Sequence, residues 1–264
     1  MSETAVKEKI SVPKKEYKKL RAFFAIVVKF LICFLSARTS LFFEIAPFGP
    51  ASLLATGGGV FSYIGAMVGY FSIGSFEGLF FTTIVYILKI FIRSEKTDSP
   101  ILLAGGSIVY ASIILQGGFL PYSVILRFLS VLVTAFSYFP LKKAYKAQFK
   151  KSTALKFTKK EGYSSIFLLF VTVLGIRNDT VLYLVNISDV IKIYLITAAA
   201  YLSGIGGGAA IGAIFGILSG ANSMDSAMVM SLYSLFGFFS GIFSKFTKLT
   251  AVLGLFCAYV FSCI

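Results

Sequence analysis

Apolar runs of about fourteen to eighteen residues recur along nearly the whole chain, most of them separated by short polar or glycine-rich breaks. A helix needs ~20 apolar residues, with ~17 as a practical minimum, to cross a bilayer core of ~30 Å. Runs recurring this often leave no polar stretch large enough to fold as a separate soluble domain. Of 264 residues, 57% are hydrophobic and only 14% are charged. The expected fold is all-α: a polytopic transmembrane helical bundle of ten to eleven short segments, some tilted or re-entrant. The segments fall at 22–37, 41–56, 58–74, 76–92, 101–117, 122–139, 164–177, 187–203, 205–220, 227–244 and 249–264.

The net charge of +14 matters less than its distribution. Seven Lys/Arg lie in residues 1–21 and eight lysines between Lys142 and Lys160, with smaller groups at Arg93/Lys96 and Lys245/Lys248. Positive residues in short loops mark the cytoplasmic side. With the segments above, every basic group follows an even number of crossings, so all share one face with a cytoplasmic N-terminus. The chain therefore divides into a basic tail (1–21), a first transmembrane half (22–139), a lysine-rich cytoplasmic loop (140–163) and a second half (164–264). Ile264 is then expected at the outer face. A secretory signal over 1–37 is disfavoured by its long charged region and by the spans that follow at once. Juxtamembrane lysines fit anionic lipid headgroups as the partner, and no nucleic-acid partner is expected.

The chain has no histidine. That removes Ser-His-Asp and Cys-His nucleophiles, H-E-x-x-H zinc sites and histidine-ligated haem. Cys33, Cys257 and Cys263 lie in apolar segments without C-x-x-C spacing, so neither a metal site nor a disulfide frame is indicated. No P-loop occurs. No cofactor, no metal and no intrinsic catalysis are expected.

The stretch Gly204–Gly220, GIGGGAAIGAIFGILSG, contains a loose G-x-G-x-x-A at Gly204, Gly206 and Ala209. That pattern needs a strand before it and a soluble βαβ unit around it. Its stronger feature is a ladder at every fourth residue: Gly204, Gly208, Gly212, Gly216 and Gly220. On a helix this makes one side-chain-free stripe, against which a neighbouring backbone packs closely where lipid supplies no hydrophobic force. The ladder seals an intramolecular bundle or joins subunits by self-association, the former being the default. Gly65/Gly69 and Gly237/Gly241 repeat the spacing; there, tolerance of packing is the simpler reading.

Ionisable residues at membrane depth are candidates for function. They are Lys29, Glu44, Glu77, Lys89, Arg127, Asp189 and Lys192. Glu77, Lys89, Arg127, Asp189 and Lys192 lie within reach of an interface and can snorkel. Lys29 and Glu44 are harder to dismiss. Around Glu44 the second segment is broken by Pro47, Gly49 and Pro50. Prolines remove backbone donors, and discontinuous helices beside a carboxylate are how transporters build midplane sites. Alternatively, Arg38 and Glu44 form a structural pair beside a kink.

Two stretches carry a family resemblance. Leu35–Ala55, LSARTSLFFEIAPFGPASLLA, resembles the first hairpin of the membrane region of stage II sporulation protein E. The glycine-rich run from Gly204, the Gly-Ile-Leu-Ser-Gly-Ala-Asn turn and the helix with Gly237 and Gly241 are similar to that family's last membrane segments. The resemblance implies a multi-pass protein of the bacterial cytoplasmic membrane at the sporulation septum, with septal or cell-division proteins as partners. It also implies that a PPM-type serine/threonine phosphatase domain, acting on an anti-anti-sigma factor, belongs with it. No metal-binding aspartates of that domain occur in this sequence, so only Arg38, Pro47, Phe48, Gly49, Gly206, Gly208, Gly212, Gly216 and Gly220 carry over, as structural residues. By that parentage one further hydrophobic segment is expected after Ile264; alternatively, Leu249–Ile264 does not span and the C-terminus stays on the cytoplasmic side. The functional expectation is a membrane anchoring and localisation module; the alternative is a small transporter or channel built at Glu44/Pro47/Pro50.

Overall fold

The computed structural model describes residues 14–41, 46–91, 106, 121–148, 159–176, 180–181, 185–220 and 226–262. These residues are helical throughout, apart from short connections and one pair of two-residue antiparallel strands. In chain order the helices are α1 (Lys14–Arg38), α2 (Phe48–Ala55), α3 (Val60–Ile73), α4 (Phe76–Phe91), α5 (Pro121–Gln148) and α6 (Lys159–Gly175). The strands β1 (Thr180–Val181) and β2 (Val185–Asn186) come next, then α7 (Ile187–Gly220), α8 (Ser226–Phe243) and α9 (Lys248–Ser262).

The first half is built around α2, whose eight residues are all buried. Ala51, Leu54 and Ala55 form one core with Ile32 of α1, Phe81 and Val85 of α4, and Tyr138 and Leu141 of α5. The segment 41–56 was expected to be a crossing helix. Only Phe48–Ala55 is helical among its described residues, because a proline is tolerated at a helix start but not in its interior. Pro47 stands at the N-cap and Pro50 in the first turn, so the helix can begin no earlier. Segment 101–117 lies outside the described residues except for Gly106, which is helical and buried.

The lysine-rich loop was expected from residue 140, yet α5 continues through Pro140 to Gln148. A proline inside a helix removes one hydrogen bond and costs ~3 kcal/mol. The turns beyond it persist because Leu141, Ala144 and Ala147, at helical spacing, are all buried. The basic tail is likewise helical from Lys14.

By length and composition, Ile187–Gly220 is the one helix among the described residues long and apolar enough to cross a membrane. Val60–Ile73, Ala227–Phe243 and Thr250–Phe261 are shorter apolar helices. Yet α7 is not one rod, because Gly204 has φ 71° and ψ −161°. A side-chain carbon on Gly208 would lie 2.6 Å from Cβ of Ala200. In a straight helix positions eight apart are separated by ~12 Å at 1.5 Å per residue. The chain therefore reverses at Gly204, and arms 187–203 and 205–220 run antiparallel, as two separate segments were expected to. Gly204 is thus the turn and not the first rung of the ladder: its own side-chain direction is open.

A left-handed φ combined with ψ near 180° is a region occupied essentially by glycine, and strain there is on the order of 1–3 kcal/mol. Gly204→Ala is expected to lower thermal stability in detergent by that amount. Gly206→Ala, with nothing within 4 Å of the new carbon, leaves it unchanged. Equal loss in the two variants would contradict the reversal.

Candidate functional site

The broken second segment produces a half-helix enclosed by the bundle, and both of its ends are occupied by protein groups. At the N-terminal end the Tyr70 hydroxyl donates to the Ala46 carbonyl at 2.6 Å and the Thr134 hydroxyl to the Pro47 carbonyl at 2.8 Å. Gly49 lets the Tyr70 ring approach: a side-chain carbon at Gly49 would stand 2.6 Å from Cζ of that ring. Pro50 sits one position further inside the helix and is buried. At the C-terminal end the Gly58 amide donates to the Leu53 carbonyl at 2.7 Å and the Gly57 amide to Leu54 at 3.1 Å. That 6→1 bond closes the helix with a left-handed residue, here Gly57 at φ 97°. The Lys89 ammonium donates to the Gly57 carbonyl. The Thr56 hydroxyl lies 2.9 Å from Ser62 Oγ and 3.5 Å from Cys33 Sγ, in a buried polar cluster.

Glu44 lies outside the described residues, so its expected pairing with Arg38 does too. The Arg38 guanidinium stands over the Phe34 ring, 5.4 Å from the centroid. Glu77 and Arg127 form an ion pair joining α4 to α5, with Nη2–Oε1 at 2.6 Å and Nε–Oε2 at 3.3 Å. Neither needs to snorkel alone.

A second polar cluster was not foreseen as one unit. Asp189, in the first turn of α7, accepts from the Tyr233 hydroxyl at 2.8 Å, from the Lys192 ammonium at 3.1 Å and from the Asn186 amide at 3.2 Å. Lys192 was expected to reach an interface; instead it is only 5% exposed. Its ammonium also lies 5.9 Å from the Tyr233 ring centroid. The reason is geometric: Tyr233 of α8 stands against Lys192, and Asp189 three residues earlier supplies the counter-charge on the same face. The i, i+3 acid–base spacing was readable in sequence; Tyr233, forty-four residues away, was not.

The glycine stripe runs along α8. Side-chain carbons on Gly208, Gly212 and Gly216 would meet the backbone of Gly237, Tyr233 and Met230 in turn, the order of an antiparallel pair. Gly241 faces Ile205 in the same way, its side-chain direction 2.5 Å from Cα of Ile205. Gly220 is buried at the far end of the arm. Gly206 has open space and takes no part. Gly65 and Gly69, where mere tolerance was the simpler reading, lie 2.5 Å by the same measure from the Phe30 and Phe34 carbonyl oxygens of α1.

Chemically these arrangements fix helices. Among the described residues no group of three His, Cys, Asp or Glu side chains gathers as a metal site. Comparison with models of protein families, with curated proteins and with solved structures finds no match for this chain.

Gly212→Leu is expected to force α7 from α8 and to cost ~1–3 kcal/mol, the range for overpacked sites. Ile214→Leu, on the exposed side of the same arm, should be nearly silent; the comparison is read as thermal stability in detergent. For the polar cluster, Asp189→Asn removes the carboxylate from a buried ammonium. It should destabilise by roughly 1–3 kcal/mol, below the usual range for a broken buried pair because Asp189 is partly exposed. Adding Lys192→Met should then recover part of that loss; additive losses would mean that the pair is not coupled.

Proposed function

We propose that the chain is a polytopic membrane module that anchors and assembles, of the kind found in the membrane region of stage II sporulation protein E, and is not itself a catalyst. One observation carries this reading: the helices turn large apolar side chains outward and keep their polar groups inside. Phe71, Phe91, Phe136 and Leu202 are each more than 70% exposed, whereas Ser52, Thr56, Ser62, Thr134 and Lys192 are buried. In water such a surface would aggregate; in hydrocarbon it is the solvated face. The short helices suit this setting as tilted or re-entrant elements within a bundle of ten to eleven segments.

The contacts also support a single basic end. Gly57 meets Lys89, Lys29 stands over Tyr145, and Gly241 meets Ile205 beside the turn that leads to Lys245. These pairs bring Lys29 in the middle of α1 to the lysine-bearing C-terminal ends of α4 and α5, and the Gly204 turn to the end of α8 that Lys245 follows. That is the pattern of a cytoplasmic face with the N-terminus inside. In the bacterial membrane, and at the division septum if the resemblance holds, such a module concentrates a phosphatase and meets cell-division proteins. Its own residues contribute position and assembly.

A transporter is the second reading, favoured by the enclosed half-helix α2, since such elements line midplane sites. Against it, the Ala46, Pro47 and Gly57 carbonyls at the two ends of α2 already accept from Tyr70, Thr134 and Lys89. A solute would have to displace protein donors to use them.

The two readings separate in one pair of measurements. The module is expected to resist alkaline extraction from membranes, to carry a fused soluble reporter to the septum, and to show no solute flux in proteoliposomes. Flux that Glu44→Gln abolishes would establish the transporter. Release from membranes by alkali would remove the membrane reading altogether.

A further inference from the structure

We infer that the cytoplasmic end of α2 holds a binding site for a phosphate group, supplied by an anionic phospholipid, with Lys29 and Lys89 as its ligands and Lys142 at its rim. The inference rests on the proposed membrane setting but names a defined site, distinct from diffuse attraction to basic loops.

Three helices deliver the lysines to one end of one core. Val28 and Leu88, each next in sequence to one of these lysines, and Tyr145 pack against the core that contains Ala55 near the end of α2. The Lys29 ammonium stands over the Tyr145 ring, 5.8 Å from its centroid, and Lys142 over Tyr138 at 5.0 Å. Tyr138, Lys142 and Tyr145 share one face of α5 by their i, i+4, i+7 spacing. Lys89 crosses Gly58 and donates to the Gly57 carbonyl.

Among the described residues the charges do not balance. Cys33, one turn along α1 from Lys29, lies 3.5 Å from Thr56, whose neighbour Gly57 accepts from Lys89, so the two ammonium groups share the same helix end. Neither forms an ion pair with a described residue, unlike Arg127 with Glu77 and Lys192 with Asp189. The C-terminal end of a helix supplies about half a negative charge, against two full positive ones. An ammonium has three donors, and Lys89 uses one on a backbone carbonyl. Two ammonium groups half-buried in this way call for an anion with several acceptor oxygens, which a phosphate provides.

The surroundings select the source. Ile87, Ile90 and Phe91, on the same helix as Lys89, are exposed and apolar. A headgroup phosphate held by Lys89 would leave acyl chains against these side chains, whereas free phosphate would gain nothing from them. Anionic headgroups are also the anions concentrated at this face of a membrane.

The test measures binding of a short-chain phosphatidylglycerol to the detergent-solubilised chain, by native mass spectrometry and by the shift in Tm. Phosphatidylcholine and inorganic phosphate are run alongside. The Lys29→Gln/Lys89→Gln variant should bind phosphatidylglycerol at least tenfold more weakly. Lys143→Gln/Lys146→Gln, an equal charge change at exposed positions of α5, should bind nearly as the parent does. Without lipid, the first variant should be as stable as the parent or more so, because repulsion is relieved and glutamine can still donate to Gly57. Lys29→Arg/Lys89→Arg should retain binding. Equal weakening in the two glutamine variants would overturn the site in favour of diffuse attraction, as would parental binding in both. Lysine-dependent binding of inorganic phosphate at least as tight as that of the lipid would overturn the lipid source. These readings are made in detergent, so they fail separately from the extraction test of membrane insertion.

Discussion

Close contact between helix backbones, possible only where glycine carries no side chain, is the constraint on which the rest of this structure depends. It joins α3 to α1 through Gly65 and Gly69, α6 to α1 through Gly175, α7 to α8 through Gly208, Gly212 and Gly216, and α9 to α8 through Gly254. Each is a place where a side-chain carbon would collide with another helix's backbone. In hydrocarbon, burial of leucine against leucine gains little over leucine against lipid, so dispersion at short range and a few polar contacts must hold helices together. The glycines let the backbones come within that range.

The second requirement is that polar backbone groups inside the bundle find partners there, because a group left unpaired in hydrocarbon costs several kcal/mol. The short α2 is the severest case. Enclosed helix ends would normally seek water, and here Tyr70, Thr134, Lys89 and the Gly57–Gly58 turn stand in for it. The Asp189–Lys192–Tyr233 cluster meets the same demand for side chains where α7 and α8 join. Anchoring accords with these two requirements more directly than transport does, since the polar carbonyls at the break are already engaged.

Much of this was legible in sequence because period and spacing survive folding. The four-residue glycine ladder marked the α7 face that meets α8, and the apolar runs marked two arms at 187–203 and 205–220. What escaped depended on contacts distant in the chain or on competition between local and tertiary terms. Gly204 fits the ladder by number, but only its dihedral angles reveal that it is the turn. Pro140 reads as a helix stop, and packing beyond it prevails. An apolar stretch containing two prolines does not disclose that only Phe48–Ala55 is helical. Lys192 looks able to reach an interface by itself, and only the distant Tyr233, which joins it to Asp189, shows that it is buried.

α7 folds back at Gly204, which brings this turn and the α8–α9 turn to one end of the bundle; the proposed membrane setting makes that end the cytoplasmic one. Single cysteines at Gly206, Phe246 and Met228, introduced after Cys33, Cys257 and Cys263 are replaced by alanine, test it through a membrane-impermeant thiol reagent in intact cells. Gly206→Cys and Phe246→Cys should label only after permeabilisation, and Met228→Cys, at the other end of α8, without it. Labelling of Gly206→Cys from outside, or on the face opposite Phe246→Cys, would contradict the reversal and the topology built on it.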